Sequence, residues 1–192
     1  MKSTKVWIVF PSMLYSSEIY FTDSIIRGSM SVVACKITKK GYEIAADSIS
    51  VRGYTQTKNN TGRSKLFEIN NMVIGSVGLA EESSLLHIFA KTHQPASATE
   101  EGILEFWGEF AEWKKKRTDR GEITNSYFIG TGGVVFSIHE WLIETVVSYE
   151  AIGAGMDFAL AALHLGHDAE AAVATAIELS VFCESPIQVI KK

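Results

Sequence analysis

Nucleophilic, acid–base and metal chemistry each need particular side chains at particular spacings, and this 192-residue sequence offers few recognisable sets. Its five histidines, His87, His93, His139, His164 and His167, form no HExxH pattern in which two imidazoles one helical turn apart share a zinc ion. His164 and His167 are three apart, but Gly166 between them breaks the helix that would align them. Cys35 and Cys183 belong to no CxxC pair, so they read as small, buried apolar residues of a reducing compartment. Ser-His-Asp chemistry has no G-x-S-x-G elbow to sit on, and no G-x-G-x-x-G or G-x-x-x-x-G-K-[ST] stretch is present to cradle a nucleotide. Ser31, Asp47, Lys65 and Gly78 stand at the ends of strand-like segments. Taken singly, Ser31 is a polar residue opening a strand and Gly78 a turn. Asp47 and Lys65 are then solvated strand-end charges, with Arg63 a basic neighbour of the latter.

The elements that must position these residues follow from the patterning. With 46% hydrophobic and 21% charged residues, the chain can bury one sizeable core. Its net charge of −4 gives no basic field for nucleic acid, in spite of the local run Lys114–Arg117. The start, Lys2 to Phe10, imitates a secretory signal, but Pro11 and the polar residues after it cut the apolar run short, and no other stretch is long enough to span a bilayer. A cytoplasmic protein that engages neither membrane nor nucleic acid is expected. Residues 1–30 carry no clear period and end in Arg27-Gly28-Ser29-Met30, which reads as a flexible junction, either a propeptide or a cloning remnant, with Met30 an alternative start.

From Ser31 the pattern is regular. Ser31–Ile37 and Tyr42–Asp47 flank the turn Lys39-Lys40-Gly41, and Lys65–Ile69 and Met72–Gly78 flank Asn70-Asn71, so two hairpins are predicted with a polar loop at 56–64 between them. Helical spacing follows at Leu85, Leu86, Ile88 and Phe89, then from Ile103 through Trp107 and Phe110 to Lys114. Trp107 and Trp113, with Phe106 and Phe110, mark helix faces for core or subunit contact. Strands return at Ser126–Ile129, Val134–Ile138 and Leu142–Val147, with glycines at 130, 132 and 133. A third helix runs through Phe158–Leu163 to a stop at Gly166, Asp168 caps a fourth, and Pro186 releases a last strand at Ile187–Ile190. Strands, helix pair, strands, helix pair and a closing strand predict an α+β, four-layer α-β-β-α sandwich of two antiparallel sheets flanked by helix pairs.

The order of segments resembles proteasome β subunits and the bacterial HslV protease, members of the N-terminal-nucleophile hydrolases. The resemblance begins at Ser31 and the strand ending Ile44-Ala45-Ala46-Asp47, with Gly53 beyond it. It continues through Ser64–Ile69, similar to the family's catalytic-lysine segment, and Val73–Gly78, similar to the strand leading to its oxyanion glycine. Ala151-Ile152-Gly153-Ala154-Gly155, similar to the family's AIGSG stretch at a helix start, extends it over nearly all of residues 31–192. The resemblance implies a proteasome-like domain over 31–192 in which Ser31 supplies the nucleophilic hydroxyl and, once exposed as residue one, the α-amine that acts as its base. Lys65 would ease loss of the hydroxyl proton by its charge, Asp47 would hold that ammonium, and the Gly78 amide would stabilise the oxyanion. No metal or other cofactor is implied.

Two positions depart from the family. The serine between the glycines of AIGSG is Ala154 here, and where proteasome members carry an Asp followed three residues later by a Ser, this chain has Ser180-Val181-Phe182-Cys183. Three functions compete on these terms. One is a threonine-protease-like endopeptidase in a homo-oligomeric ring or stacked rings, acting on peptides or unfolded proteins delivered by a separate ATPase. The second is a small-molecule amidase of the same fold, and the third a weak or inactive structural ring subunit.

Overall fold

A computed structural model describes residues 30–52, 55–56 and 64–192. Gly53, Arg63, most of the loop at 56–64 and residues 1–29 lie outside the described residues. The chain opens with strands β1 (Val33–Thr38) and β2 (Gly41–Ala46), followed by the two-residue strands β3 (Val51–Arg52) and β4 (Thr55–Gln56). The hairpin of β5 (Leu66–Ile69) and β6 (Met72–Val77) leads to helices α1 (Ala80–Ala90) and α2 (Glu100–Thr118). Strands β7 (Ser126–Thr131), β8 (Val134–His139), β9 (Leu142–Thr145) and β10 (Tyr149–Ile152) precede helices α3 (Met156–His164) and α4 (Ala169–Leu179), and β11 (Gln188–Lys191) closes the chain.

Local chemistry accounts for most of these elements. Asn70 and Asn71 both take positive φ, 48° and 62°, so the β5–β6 connection twists with its strands, as a two-residue hairpin must. Gly132 and Gly133, at φ 57° and 82°, do the same between β7 and β8. Thr99 caps α2 by accepting from the Gly102 amide at 3.2 Å. Acidic Glu100 and Glu101 sit in that helix's first turn and Lys115, Lys116 and Arg117 in its last, each favourable to the helix dipole. Asp168 caps α4 as expected, its Oδ1 accepting from the Ala171 amide at 2.8 Å.

Two large antiparallel sheets result, in the orders β10-β1-β2-β11 and β5-β6-β7-β8-β9, beside a two-stranded β3-β4 sheet. Alternation sorts the side chains of β1 and the residue before it, with Val33 and Cys35 facing the second sheet while Val32 and Ala34 face helices α3 and α4. The space between the sheets is filled by Tyr42, Ile44, Val73, Val77, Phe128 and Ile152, among others. Each such fully buried side chain contributes about 1.5–3 kcal/mol. The outer face of the five-stranded sheet packs on α1 and α2 through Phe89, Phe106, Trp107, Phe110 and Tyr127, and the Trp107 indole donates to the Glu140 carbonyl at 2.8 Å. Trp107 and its neighbours are thus core residues, with Trp113 packed partly buried against them beneath the Arg117 guanidinium. The outer face of the four-stranded sheet is alanine-rich, Ala34, Ala45 and Ala151 meeting Ala159, Ala172 and Ala176, which lets α3 and α4 lie close.

The expected four layers are present, with one difference in the strands. The segment read as a single strand over Leu142–Val147 ends at Thr145, and a further strand of the other sheet, Tyr149–Ile152, takes in Ala151 and Ile152 of the stretch read as a helix start. The crossing is abrupt. The Val146 amide donates to Val135 in the five-stranded sheet at 2.8 Å, and the Ser148 carbonyl accepts from Ile37 in the four-stranded sheet at 2.7 Å.

Candidate active site

At the head of β1 the chain enters the sheet through Ser31 and Val32, both buried. Ser31 is 4% exposed, and its hydroxyl donates to the Met30 carbonyl. Its own carbonyl accepts from the Gly155 amide at 3.2 Å. Gly153 lies directly over this residue. It has φ 99°, and a Cβ there would stand 2.4 Å from the Ser31 carbonyl oxygen and 3.2 Å from Val77 Cγ1. The stretch read from the sequence as Ala151–Gly155 therefore does two things, since β10 pairs with β1, with Ile152 opposite Val33, and the glycines after it wrap the backbone of Ser31.

Asp47, just past the end of β2, is the hub. Its side chain has no exposed surface, and it accepts four hydrogen bonds. Oδ1 takes the Val32 amide at 2.9 Å and the Lys65 ammonium at 2.7 Å, and Oδ2 takes the amides of Ile49 at 3.0 Å and Glu184 at 3.1 Å. The Asp47 amide in turn donates to the Val32 carbonyl at 3.1 Å. One carboxylate oxygen thereby ties the residue after Ser31 to the Lys65 ammonium, and the other anchors the loop after α4. A buried carboxylate is stable on such terms because each lone-pair direction meets a donor.

Lys65 enters from the start of β5 with 18% of its side chain exposed. Burial lowers its pKa from the ordinary lysine value, and the charge of Asp47 and the hydrogen bond to it act in the opposite sense. Cys183 belongs to the same environment. Burial first, then the negative charge of Asp47, push its thiol up to about 11, while the hydrogen bond to Ser180 and the Lys65 charge oppose the rise. A Cβ on Gly155 would lie 2.5 Å from Cys183 Sγ, so this thiol fills the space beneath the loop that wraps Ser31. The Ser180 hydroxyl accepts from the Phe182 amide at 3.2 Å in the turn after α4, and Ala154 is half-buried beside Gly153.

Gly78 follows Val77 at the end of β6 with φ 124°, a conformation that only glycine adopts readily. Asn125, 2% exposed, occupies the place that a side chain on Gly78 would need, its Oδ1 standing 2.2 Å from the built Cβ. Of the four residues singled out in the sequence, Ser31, Asp47 and Lys65 lie together at the head of β1, and Gly78 follows the end of β6. Ser31, Asp47 and Lys65 are joined through hydrogen bonds involving Asp47 and Val32, and Gly78 is one residue from the Val77 contact with Gly153. Sequence reading did not find Asn125, the Ile49 and Glu184 amides, or the buried pair of Glu82 with Lys114 on α1 and α2. None of these has a local pattern, because their partners come from distant segments. Among the described residues no three or more His, Cys, Asp or Glu side chains gather as a metal site, and no helix is long and apolar enough to cross a membrane.

No family model matches the sequence, and no curated protein matches it. Solved structures do resemble the fold. BPH from Thiobacillus denitrificans is similar with a TM-score of 0.74 at 18% identity, over 83% of this chain and 96% of that one. Its complex with Epoxomicin gives 0.73 at the same identity and coverage. The eukaryotic HslV from Trypanosoma brucei is similar at 0.60 and 22% identity, over 83% of this chain and 97% of that one. Anbu, an ancestral beta-subunit from Yersinia bercovieri, is similar at 0.63 and 14% identity, over 83% of this chain and 80% of that one. The architecture derived above is therefore the proteasome-type N-terminal-nucleophile hydrolase fold.

Proposed function

We propose that residues 31–192 form a proteasome-type peptidase in which Ser31, exposed as the first residue, attacks the scissile carbonyl of a peptide. The observation that carries this reading is the double use of Asp47 Oδ1, which holds the Lys65 ammonium at 2.7 Å and the amide of Val32, the residue after Ser31, at 2.9 Å. A fixed positive charge beside a serine hydroxyl favours its alkoxide, and a free α-amine on the same residue titrates near neutrality and can take the proton. Attack would place negative charge on the carbonyl oxygen, where the Gly78 amide is the candidate donor. The amine would then pass its proton to the departing amino group, leaving an ester on Ser31, and water activated by the same amine would release it. Similarity of fold to HslV and to BPH, which is solved in complex with Epoxomicin, supports the class of reaction.

The resemblance further implies self-assembly into a ring or stacked rings in the cytoplasm, with substrates unfolded by a separate ATPase. Ala154 and Cys183, where the family carries serines, favour a second reading, a slow or inactive ring subunit. The test begins with the intact mass of the purified chain, to establish whether residues 1–30 are removed, and with its assembly mass in solution. Hydrolysis of a fluorogenic peptide amide is then compared between the form beginning at Ser31 and its Ser31→Ala variant. Turnover that survives in Ser31→Ala rejects the nucleophile, and Ser31-dependent turnover in a chain still carrying Met30 rejects the amine as base. Cleavage of small amides but not of peptides would move the assignment to an amidase.

A further inference from the structure

We infer that Asn125 is a positioning residue for the Gly78 amide, a role that rests on the hydrolase reading above and that nothing in the sequence pattern announces. An oxyanion donor is useful only if its direction is fixed before the reaction, and a glycine is the residue least able to fix its own direction. Gly78 has the further difficulty of joining a strand to a helix, with φ 124°, at a site where α1 begins without a side-chain cap of its own.

Asn125 supplies what the glycine lacks. Its Oδ1 accepts from the Leu79 amide at 2.6 Å, and its Nδ2 donates to the Leu79 carbonyl at 2.9 Å and to Ser83 Oγ at 3.1 Å. The carboxamide therefore pairs with both backbone groups of Leu79, as a strand neighbour would, and fixes the peptide plane that follows Gly78. The plane before it is held by the ladder, in which Val77 is registered opposite Ser126, the residue next to Asn125. Gly78 is thus bracketed on both sides by one dipeptide of β7 and its approach. The Leu79 amide is consumed by this clamp, while the preceding amide is directed by the two planes around it.

The clamp is itself anchored. Glu82, 3% exposed in the first turn of α1, turns its carboxylate away from its own helix end to accept the amides of Asn125 at 2.9 Å and Thr124 at 3.1 Å. The same carboxylate takes the Tyr127 hydroxyl at 3.2 Å and the buried Lys114 ammonium, and Lys114 also donates to the Glu122 carbonyl. Two helices and β7 are thereby locked around Asn125. Because the cluster is buried and fully hydrogen-bonded, its geometry is set on folding and does not wait for substrate.

The experiment compares the parent, Asn125→Ala and Asn125→Asp on a fluorogenic peptide amide, each beside its own Ser31→Ala control. Asn125→Asp keeps the acceptor for the Leu79 amide and loses both donors. We expect kcat to fall at least tenfold in both variants, with KM unchanged, since an oxyanion contact is made in the transition state alone and the aspartate sets a carboxylate oxygen against the Leu79 carbonyl. Loss of one such donor outright costs about a hundredfold to a thousandfold, which sets the upper bound. Affinity for a peptide aldehyde, whose adduct carries the oxyanion, should weaken by the same factor as kcat/KM. If Asn125→Ala does not fold, Asn125→Asp decides by the same split. A folded variant with kcat within twofold of the parent, or a loss expressed in KM, overturns the assignment. A parent without Ser31-dependent turnover overturns the hydrolase reading itself and this role with it, and the Ser31→Ala controls tell the two failures apart.

Discussion

Replacing Asp47 should cost far more stability than replacing the lysine it holds, although the two form one ion pair. In Asp47→Ala the Lys65 ammonium keeps its buried surroundings and loses its partner, and the amides of Val32, Ile49 and Glu184 lose their acceptors. Removing one member of a buried pair costs about 3–5 kcal/mol. Water entering the vacated volume can satisfy some of the amides, so the upper end of that range is a fair ceiling. For a chain of this size the loss is a drop of roughly 6–20 °C in Tm. Lys65→Met differs in kind. The Asp47 carboxylate stays buried and loses its counter-charge, but it retains three amide donors at 2.9–3.1 Å, and a flexible apolar chain fills the place of the partly exposed lysine. We expect that substitution to cost about 1–2 kcal/mol. Urea unfolding followed by tryptophan fluorescence measures both, with the m-value checking that the denatured state has not changed. Equal losses in the two variants, or a loss below about 1 kcal/mol in Asp47→Ala, would falsify the account of Asp47 as the hub.

Other consequences can be measured on the same proteins. Because burial lowers the folded-state pKa of Lys65, the unfolded chain binds the extra proton between that value and the ordinary 10.5, and stability from this group rises with pH through that window and is lost as pH falls through it. The stability difference between the parent and Lys65→Met should therefore move in the parent's favour as pH is raised toward 10.5, and a flat difference contradicts the shift. Cys183, raised to about 11, remains a neutral thiol at pH 8, so iodoacetamide at that pH should leave Ser31-dependent turnover intact. Rapid alkylation of this residue at pH 8 would show that its thiol is not held as described. Gly153→Ala would press a methyl to 2.4 Å from the Ser31 carbonyl and strain a φ of 99°, so we expect a loss of about 1–3 kcal/mol in stability together with a fall in kcat. A crystal structure of that variant with Ser31 unmoved would refute the role of Gly153 as its cover.

The fold was legible where its instructions are local. Asn70-Asn71 and Gly132-Gly133 announce two-residue hairpins because few other residues tolerate positive φ in succession, and Asp168 announces a helix start because its side chain satisfies an amide three residues on. The crossing at Val147 was not legible, since a strand that leaves one sheet and joins another has the composition of a single longer strand. It is decided by long-range partners, the Val135 carbonyl for the Val146 amide and the Ile37 amide for the Ser148 carbonyl. The site divides in the same way. Ser31, Asp47, Lys65 and Gly78 were read from a resemblance of ordered segments, and the structure joins the first three through Asp47 and Val32. Asn125 stayed hidden because its partner Leu79 is 46 residues away, and Lys114 read as one more position in a helical rhythm although it ends against Glu82, 32 residues earlier.

If Ser31 is the nucleophile proposed above, the arrangement lets its chemistry be withheld without dismantling the site. While Met30 is attached, the Ser31 nitrogen is an amide with no basic lone pair, and the hydroxyl spends its proton on the Met30 carbonyl. Nothing else in the constellation depends on that bond. Asp47 is held by the amides of Val32, Ile49 and Glu184, Lys65 by Asp47, and Gly78 by Asn125 and the β6–β7 ladder. Removing Met30 would therefore change the proposed nucleophile and its base and leave the supporting residues where they are. On this reasoning the mature and extended forms should have the same melting behaviour to within a few degrees while differing in turnover by orders of magnitude. A large gain in Tm on maturation would mean instead that the site is assembled by the cleavage, with Asp47 acquiring its partners only then.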